Sequence, residues 1–341
     1  MLHSSINLSS NTKCDTYQYE GCIFDQTVNI PHISSTTTTF TSCTFDSMSA
    51  NDYGGAIYLS GLNQYSSLSL ALDGCQFKYC SSADGGAIYA DLISKLDVTR
   101  SIFLGCTSSD STDNEGGGAI YIHSLLNHLS LNDNHFISCS SQSSGGAVYT
   151  FGCGSNVKGA NIFNDCIFLS CKAPSTEADG GALLIWSNSQ ILGLVNSVFS
   201  FCSSYYGGAL TDDFNGLSSS QHPIQFCLFY TNTGKYGNDV LLDSFDISQG
   251  CVFLHSFSNS YRKRVAYPGD FDCDNYIDSW LPQGSIYFGN LSSDLGIENI
   301  AQSEYTWLCS ILFRFNSLYC YILRYHLFRS PPENKTLIQF F

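Results

Sequence analysis

A short phrase of two glycines, an alanine, an aliphatic residue and usually a tyrosine returns along this chain at a nearly constant interval. A decayed seventh copy stands at residues 236–240, and the clearer copies begin at Gly54, Gly85, Gly117, Gly145, Gly180 and Gly207. The steps between the glycine pairs are 31, 32, 28, 35, 27 and 30 residues. Because self-similarity at such a period is typical of stacked repeats, it constrains the fold more than local propensity does.

Each period also contains a phenylalanine, usually followed by a cysteine three residues later. The pairs are Phe77/Cys80, Phe103/Cys106, Phe136/Cys139, Phe168/Cys171 and Phe199/Cys202. Many of these phenylalanines follow a further cysteine by two residues, at Cys22, Cys43, Cys75, Cys166, Cys227 and Cys251. Residues two apart on a strand share a face, so we expect this cysteine and the phenylalanine to point into the interior.

Apolar residues also alternate with polar or small ones before each phenylalanine, as in Leu70 and Leu72 or Leu129 and Leu131. This period of two predicts a strand. Residues that tolerate tight turns separate it from the phenylalanine strand, at Asp73-Gly74, Thr99-Arg100, Asn132-Asp133 and Asn164-Asp165. Each period therefore reads as strand, turn, strand, turn, strand.

One such unit cannot bury its own apolar face, so neighbouring units must cover it. Stacking like residues on like residues predicts an all-β, right-handed parallel β-helix of about eight coils spaced by ~4.8 Å. The glycine pair suits a positive φ or a close neighbouring backbone. We expect Ile57 and its counterparts to point inward and the tyrosines to form an outer ladder, although the pattern also permits the tyrosines to point inward. The alternative architecture is an antiparallel sandwich.

Charge limits the classes of partner. The formal net charge is −15, and 13% of the residues are charged. Such a chain is repelled by nucleic acid and by anionic membrane surfaces, which leaves cationic partners and divalent ions open.

Sixteen cysteines are many for 341 residues. Two states are open. Buried free thiols would fill an interior column as small apolar groups. Alternatively, stacking would bring pairs such as Cys80 and Cys106, or Cys139 and Cys171, within disulfide reach. No CxxC motif occurs, so the sequence predicts no metal site.

The pattern divides the chain into an N-terminal segment at 1–19, the β-helix at 20–256 and a C-terminal extension at 257–341. The N-terminus does not read as a secretory signal, which suggests that an upstream part is missing. Residues 305–328 are the most apolar stretch; they predict a membrane span, a cap for the open end of the solenoid or a disordered tail. Residues 270–281 resemble a calcium loop in part, with a solvated acidic loop as the alternative.

Candidate catalytic groups are few. Asp91 and His123 occupy the same place in adjacent copies. Other acids stand after or near the glycine pairs, at Asp52, Asp84, Glu115, Asp179, Asp212, Asp213 and Asp239. We interpret each set as a solvated turn or rim, and we predict no catalytic residue, no cofactor and no metal ligand.

The two alternating motifs, GGA(I/V)Y and FxxC, resemble the GGA(I/L/V) and FxxN repeats of chlamydial polymorphic membrane proteins. They are also similar to surface-protein-like β-helix chains of trichomonads, which favour cysteine in the second motif. The resemblance covers roughly residues 20–256 and implies a pectin-lyase-like β-helix displayed at a cell surface or secreted. It implies adhesion, and it supplies no catalytic residues.

The sequence therefore predicts a non-enzymatic surface or secreted protein that binds glycans or cell-surface proteins through a long regular face. A polysaccharide-degrading lyase or glycoside hydrolase is the alternative, and a structural spacer is a third interpretation. Converging carboxylates in a groove would favour the enzyme.

Overall fold

The computed structural model of the chain is built from β-strands, and every paired strand lies parallel to its neighbours. No α-helix occurs among the residues that it describes, which are 15–24, 26–30, 36–61, 67–110, 116–124, 127–152, 162–186, 193–213, 222–225, 227–236, 239–242, 245–247, 252–254 and 286–288.

Three long sheets contain most of the described strands. The first contains nine strands, in the order β1 Asp15–Glu20, β4 Thr36–Thr41, β7 Ser69–Asp73, β11 Lys95–Thr99, β15 His128–Asn132, β19 Ile162–Asn164, β22 Gly193–Val195, β26 His222–Gln225 and β30 Phe245–Ile247. The second contains ten, in the order β2 Ile23–Phe24, β5 Thr44–Asp46, β8 Gln76–Lys78, β12 Ile102–Leu104, β16 His135–Ile137, β20 Ile167–Leu169, β23 Val198–Ser200, β27 Leu228–Tyr230, β31 Val252–Leu254 and β32 Ile286–Phe288. The third contains eight, in the order β3 Val28–Ile30, β6 Ile57–Ser60, β10 Ile88–Asp91, β14 Ile120–His123, β18 Val148–Phe151, β21 Leu183–Trp186, β25 Leu210–Asp213 and β29 Val240–Leu242.

A short fourth side, which the sequence did not predict, follows the second sheet. Its strands are β9 Ser81–Ser82, β13 Thr107–Ser108, β17 Ser140–Ser141, β24 Ser203–Tyr206 and β28 Thr233–Tyr236. Bridges from Lys172 to Ser140 and to Ser203 connect its two parts. The chain therefore visits the first, second, fourth and third sides in turn and then returns to the first. Strands that neighbour each other within a sheet come from successive turns, so the described part of the chain is a parallel β-solenoid.

The interior column of phenylalanines confirms the predicted stacking. The register pairs Phe77 with Phe103 and Phe103 with Phe136. From Phe24 to Phe229, successive rings of this column lie 4.6–5.0 Å apart between centroids and within 9° of parallel. A ring in this column thus packs against rings above and below, where the close packing of interiors favours dispersion contacts.

The corners between sheets keep the hydrogen-bond ladder continuous. Seven turns each have one residue with a left-handed φ of 50–62° at the corner after the first sheet. These residues are Gly21, Ser42, Gly74, Arg100, Asp133, Asp165 and Asn196. The N–H of Arg100 donates to the carbonyl of Asn132 on the next turn at 3.0 Å, and Gly74 donates to Thr99 at 2.9 Å. The predicted corners are confirmed, and inter-turn hydrogen bonds hold the unfavourable conformation in place.

The glycine pair has two separate roles, both of which the sequence predicted as alternatives. Gly117 has a φ of +68°. Gly118 has no left-handed φ, but a Cβ there would come closer than 3.0 Å to backbone atoms of Gly146 and Ser140 on the next turn. The first glycine therefore makes the bend, and the second permits neighbouring turns to approach.

Candidate functional site

The outward face of the first sheet is polar. Its basic groups already have acidic partners: Nζ of Lys95 lies 2.6 Å from Asp97, and Arg100 donates from Nε to Asp73 at 2.9 Å. His128 Nε2 lies 3.0 Å from the same Asp97 carboxylate. Exposed ion pairs of this kind contribute little to stability.

The outward face of the second sheet becomes apolar towards its later strands. Ile102 and Leu104 are half-buried there. Farther along, outward-facing residues are almost fully buried, namely Ile167, Val198, Leu228 and Tyr230. None of these four belongs to the interior cluster, so this face is distinct from the core.

The outward face of the third sheet is aromatic. Tyr58, Tyr89, Tyr121 and Tyr149 occupy one register column, and the last three pack in a cluster separate from the interior core. Their ring centroids are 5.0–5.6 Å apart. The predicted outer ladder is confirmed, and Ile57 and its counterparts face inward. This outer ladder is largely buried, since Tyr121 is 3% and Tyr149 is 0% exposed.

A second outward column lies two residues farther along the same strands. We call it the aromatic–acidic column; in register order it contains Ser60, Asp91, His123, Phe151 and Trp186. The His123 and Phe151 ring centroids lie 5.0 Å apart, and Phe151 meets Trp186 edge to face at 5.5 Å. The side chains of Asp91, His123, Phe151 and Trp186 are all partly exposed. This column therefore offers more reachable ring surface than the buried tyrosines do.

The structure brings Asp91 and His123 together, as their shared place in the repeat suggested. Nδ1 of His123 lies 3.0 Å from Oδ1 of Asp91, and the two side chains are 37% and 19% exposed. Glycoside hydrolysis needs two carboxyl groups flanking the bond. The rungs beside Asp91 carry Ser60 and His123, so the register supplies no second carboxyl there.

The other candidate acids that the structure describes differ in their exposure. Asp52 is exposed and Asp179 is partly exposed, whereas Glu115 lies outside the described residues. The expectation of a solvated turn is wrong for Asp84, which is 1% exposed; its carbonyl accepts hydrogen bonds from Ser82 Oγ and from the N–H of Gly54. Asp212 and Asp213 end β25, in register with Ile185 and Trp186.

Asp239 is also buried, so the prediction of a solvated rim is wrong for it. Its carbonyl accepts from the N–H groups of Ala209 and Leu210, as alanine does in the earlier copies. Its Oδ1 accepts a hydrogen bond from Asn232 Nδ2 at 2.8 Å. Asn232 stands where earlier repeats have cysteine, so two polar residues replace an apolar pair in one repeat and partner each other.

The cysteine column is an internal hydrogen-bond ladder. The thiols of Cys80, Cys106, Cys139, Cys171 and Cys202 each donate to a phenylalanine carbonyl of the preceding turn at 3.5–3.7 Å. Asn232 Nδ2 donates to the corresponding carbonyl of Phe199 at 3.1 Å. The ten cysteines among the described residues are free thiols.

Burial keeps the thiols of Cys75 and Cys166 protonated, the cysteines that stand two residues before a phenylalanine of the interior column. It raises the pKa of Cys166 to about 12 and that of Cys75 to about 11. Since the thiolate is the nucleophile and the metal ligand, such groups are chemically inert at neutral pH. Within the described part of the chain, no group of three or more histidine, cysteine or acidic side chains could hold a metal ion.

The sequence interpretation missed Phe151 and Trp186. The signal was present, because both stand four residues after the alanine of their repeat, as Asp91 and His123 do. The position was overlooked because its residue type changes along the column, whereas the tyrosine position keeps its type in four copies.

Comparison of the chain with protein-family models, curated proteins and solved structures finds no match. Within the described residues, no helix is long and apolar enough to cross a membrane. The stretch 305–328, the acidic segment 270–281 and the extension after residue 288 lie outside those residues.

Proposed function

We propose that this chain is a non-enzymatic surface or secreted adhesion protein, built as a right-handed, pectin-lyase-like β-helix of about eight coils. The nine, ten and eight strands of the three long sheets support that number of coils. The strong preference of parallel crossovers supports the right hand. The likeness of the repeat to polymorphic membrane proteins supports the surface location.

The observation that carries the proposal is the regularity of the outward columns. On the third sheet, one register column holds aromatic rings and the next holds Asp91, His123, Phe151 and Trp186. A ligand lying along the solenoid would meet a new rung every ~4.8 Å. Such a surface suits an extended glycan or protein segment better than a compact small molecule, which favours a concave pocket.

The alternative, a polysaccharide-degrading enzyme, has weaker support. The Asp91–His123 pair is the one close acid–histidine contact in this column, and acid–base cleavage of a glycosidic bond needs a second carboxyl. We therefore assign the column to binding.

A combined screen tests the proposal. The purified chain is applied to neutral and acidic polysaccharides and to cultured epithelial cells, and both retention and product release are measured. The expected result is saturable retention with no new reducing ends and no unsaturated products. Turnover of any polysaccharide, or no retention on any glycan or cell, overturns the proposed function.

A further inference from the structure

The aromatic–acidic column combines two features that attract cations. Phe151 and Trp186 lie on successive rungs with their rings partly exposed. Asp91, whose side chain is also partly exposed, lies two rungs before Phe151. Aromatic faces attract ammonium and guanidinium groups through the ring quadrupole, and carboxylates attract them as counter-ions.

Among the described residues, the basic group beside Asp91 is His123, whose Nδ1 lies 3.0 Å from the Asp91 carboxylate. The strands β6, β10, β14, β18, β21 and β25 contain no lysine and no arginine. The basic residues Lys95 and Arg100 belong to the first sheet and its corner, where Asp97 and Asp73 partner them. With a net charge of −15, the whole chain draws cations towards its surface.

We propose that this column is the docking surface for a basic, extended segment of a protein partner. Its lysine or arginine side chains lie over Phe151 and Trp186 and pair with Asp91. The inference rests on the proposed function, because it names the partner class of the same surface.

The spacing suits such a segment. Asp91 and Trp186 are three rungs apart, which is roughly 14 Å at ~4.8 Å a rung. An extended chain rises ~3.4 Å per residue, so side chains four residues apart lie on one face roughly 14 Å apart. A partner with basic residues at every fourth position can therefore place one beside Asp91 and the next over Trp186.

The test uses a fluorescein-labelled extended peptide with arginine at every fourth position, and a control peptide with glutamate in those places. Binding to the full chain is measured by fluorescence polarisation at physiological salt. Trp186→Leu removes the ring but keeps apolar volume, and Asp91→Asn removes one charge with little change of shape. Asp133→Asn is the matched control, because it removes one charge at a corner where φ is 55° and asparagine is tolerated. Circular dichroism and a melting curve establish that each variant is folded.

We expect the arginine peptide to bind and the glutamate peptide not to bind. Trp186→Leu should weaken binding about tenfold and Asp91→Asn about threefold, whereas Asp133→Asn should change it by less than about twofold. Equal effects of Asp91→Asn and Asp133→Asn would mean that net charge alone drives binding and would overturn the inference. An unchanged affinity in Trp186→Leu would also overturn it.

Retention of the same variants is measured on the cells or glycans that retain the unchanged chain. The inference fails, and the proposed function stands, if retention persists while the arginine peptide does not bind. The same conclusion holds if the peptide binds with an affinity that Trp186→Leu and Asp91→Asn leave unchanged. If the peptide binds at the column but nothing is retained on cells or glycans, the proposed adhesion fails while the docking surface stands.

Discussion

Replacing Gly118 by alanine tests the closest approach between turns. A Cβ at this position would come closer than 3.0 Å to the carbonyl oxygen of Gly146 and to the carbonyl carbon and oxygen of Ser140. All three are backbone atoms on the next turn, so no side-chain rotation relieves the contact. Because Gly118 has no left-handed φ, the effect is steric.

The expected loss of stability follows from the hydrogen bonds between turns that the added methyl group would lengthen. The turns are joined here by hydrogen bonds from Gly118 to Gly145 at 3.2 Å, Ala119 to Ala147 at 2.8 Å and Ile120 to Ala147 at 3.0 Å. Weakening two of them costs about 2 kcal/mol, and overpacking adds about 1–3 kcal/mol. We expect Gly118→Ala to lower the free energy of unfolding by about 3–5 kcal/mol in urea titrations.

The matched control is Gly74→Ala. Gly74 has a φ of +62°, and the nearest atom to its Cβ position is Ser42 Oγ at 3.6 Å, an ordinary contact. Only backbone strain opposes this change, at about 1–2 kcal/mol. If Gly118→Ala destabilises the chain no more than Gly74→Ala does, the close approach of neighbouring turns is refuted.

Three further predictions follow from the interior. Phe136→Ala should lower the free energy of unfolding by about 3–5 kcal/mol in urea titrations, and Phe136→Leu by clearly less; equal losses would contradict the ring stack. Asn232→Ala should cost about 2–3 kcal/mol by the same assay, because it leaves buried polar partners unmatched, and Asp239→Ala should relieve part of that cost in the double variant; simple additivity would contradict the pairing. The folded-state pKa of Cys166, about 12, lies above its ordinary 9.0, so its neutral thiol contributes stability that is fully present below pH 9 and is lost as pH rises towards 12. Cys166→Ala should flatten the fall of the urea midpoint above pH 9, and an unchanged slope would contradict that assignment.

Interior columns were predictable because they repeat a residue type. Phe77 and Phe103 face the same neighbours in successive turns, so the same side chain is favoured at each. The first corner was predictable for a related reason, since Gly74 and Asp133 belong to types that accept a left-handed φ. The corner after the second sheet was not predictable. Tyr79 and Phe201 have φ values of 53° and 55° there, although neither residue type favours a left-handed φ. Hydrogen bonds between turns impose that conformation, so it cannot be predicted from the residue type.

The candidate site was predictable only in part. The shared repeat position of Asp91 and His123 indicated their contact, because the register brings equivalent positions together. The burial of Tyr149 could not be predicted, since exposure on an outer face depends on residues distant in the chain. Asp239 is a similar case: its place in a decayed repeat suggested a surface acid, and only the contact with Asn232 explains an acid in the interior.

An X-ray crystal structure of the chain tests the stacked solenoid most directly, through the separations of its phenylalanine rings. We predict one continuous file from Phe24 to Phe229, with successive centroids 4.6–5.0 Å apart and rings within 9° of parallel. Phenylalanines distributed over separate cores, or paired across antiparallel strands, would contradict the account.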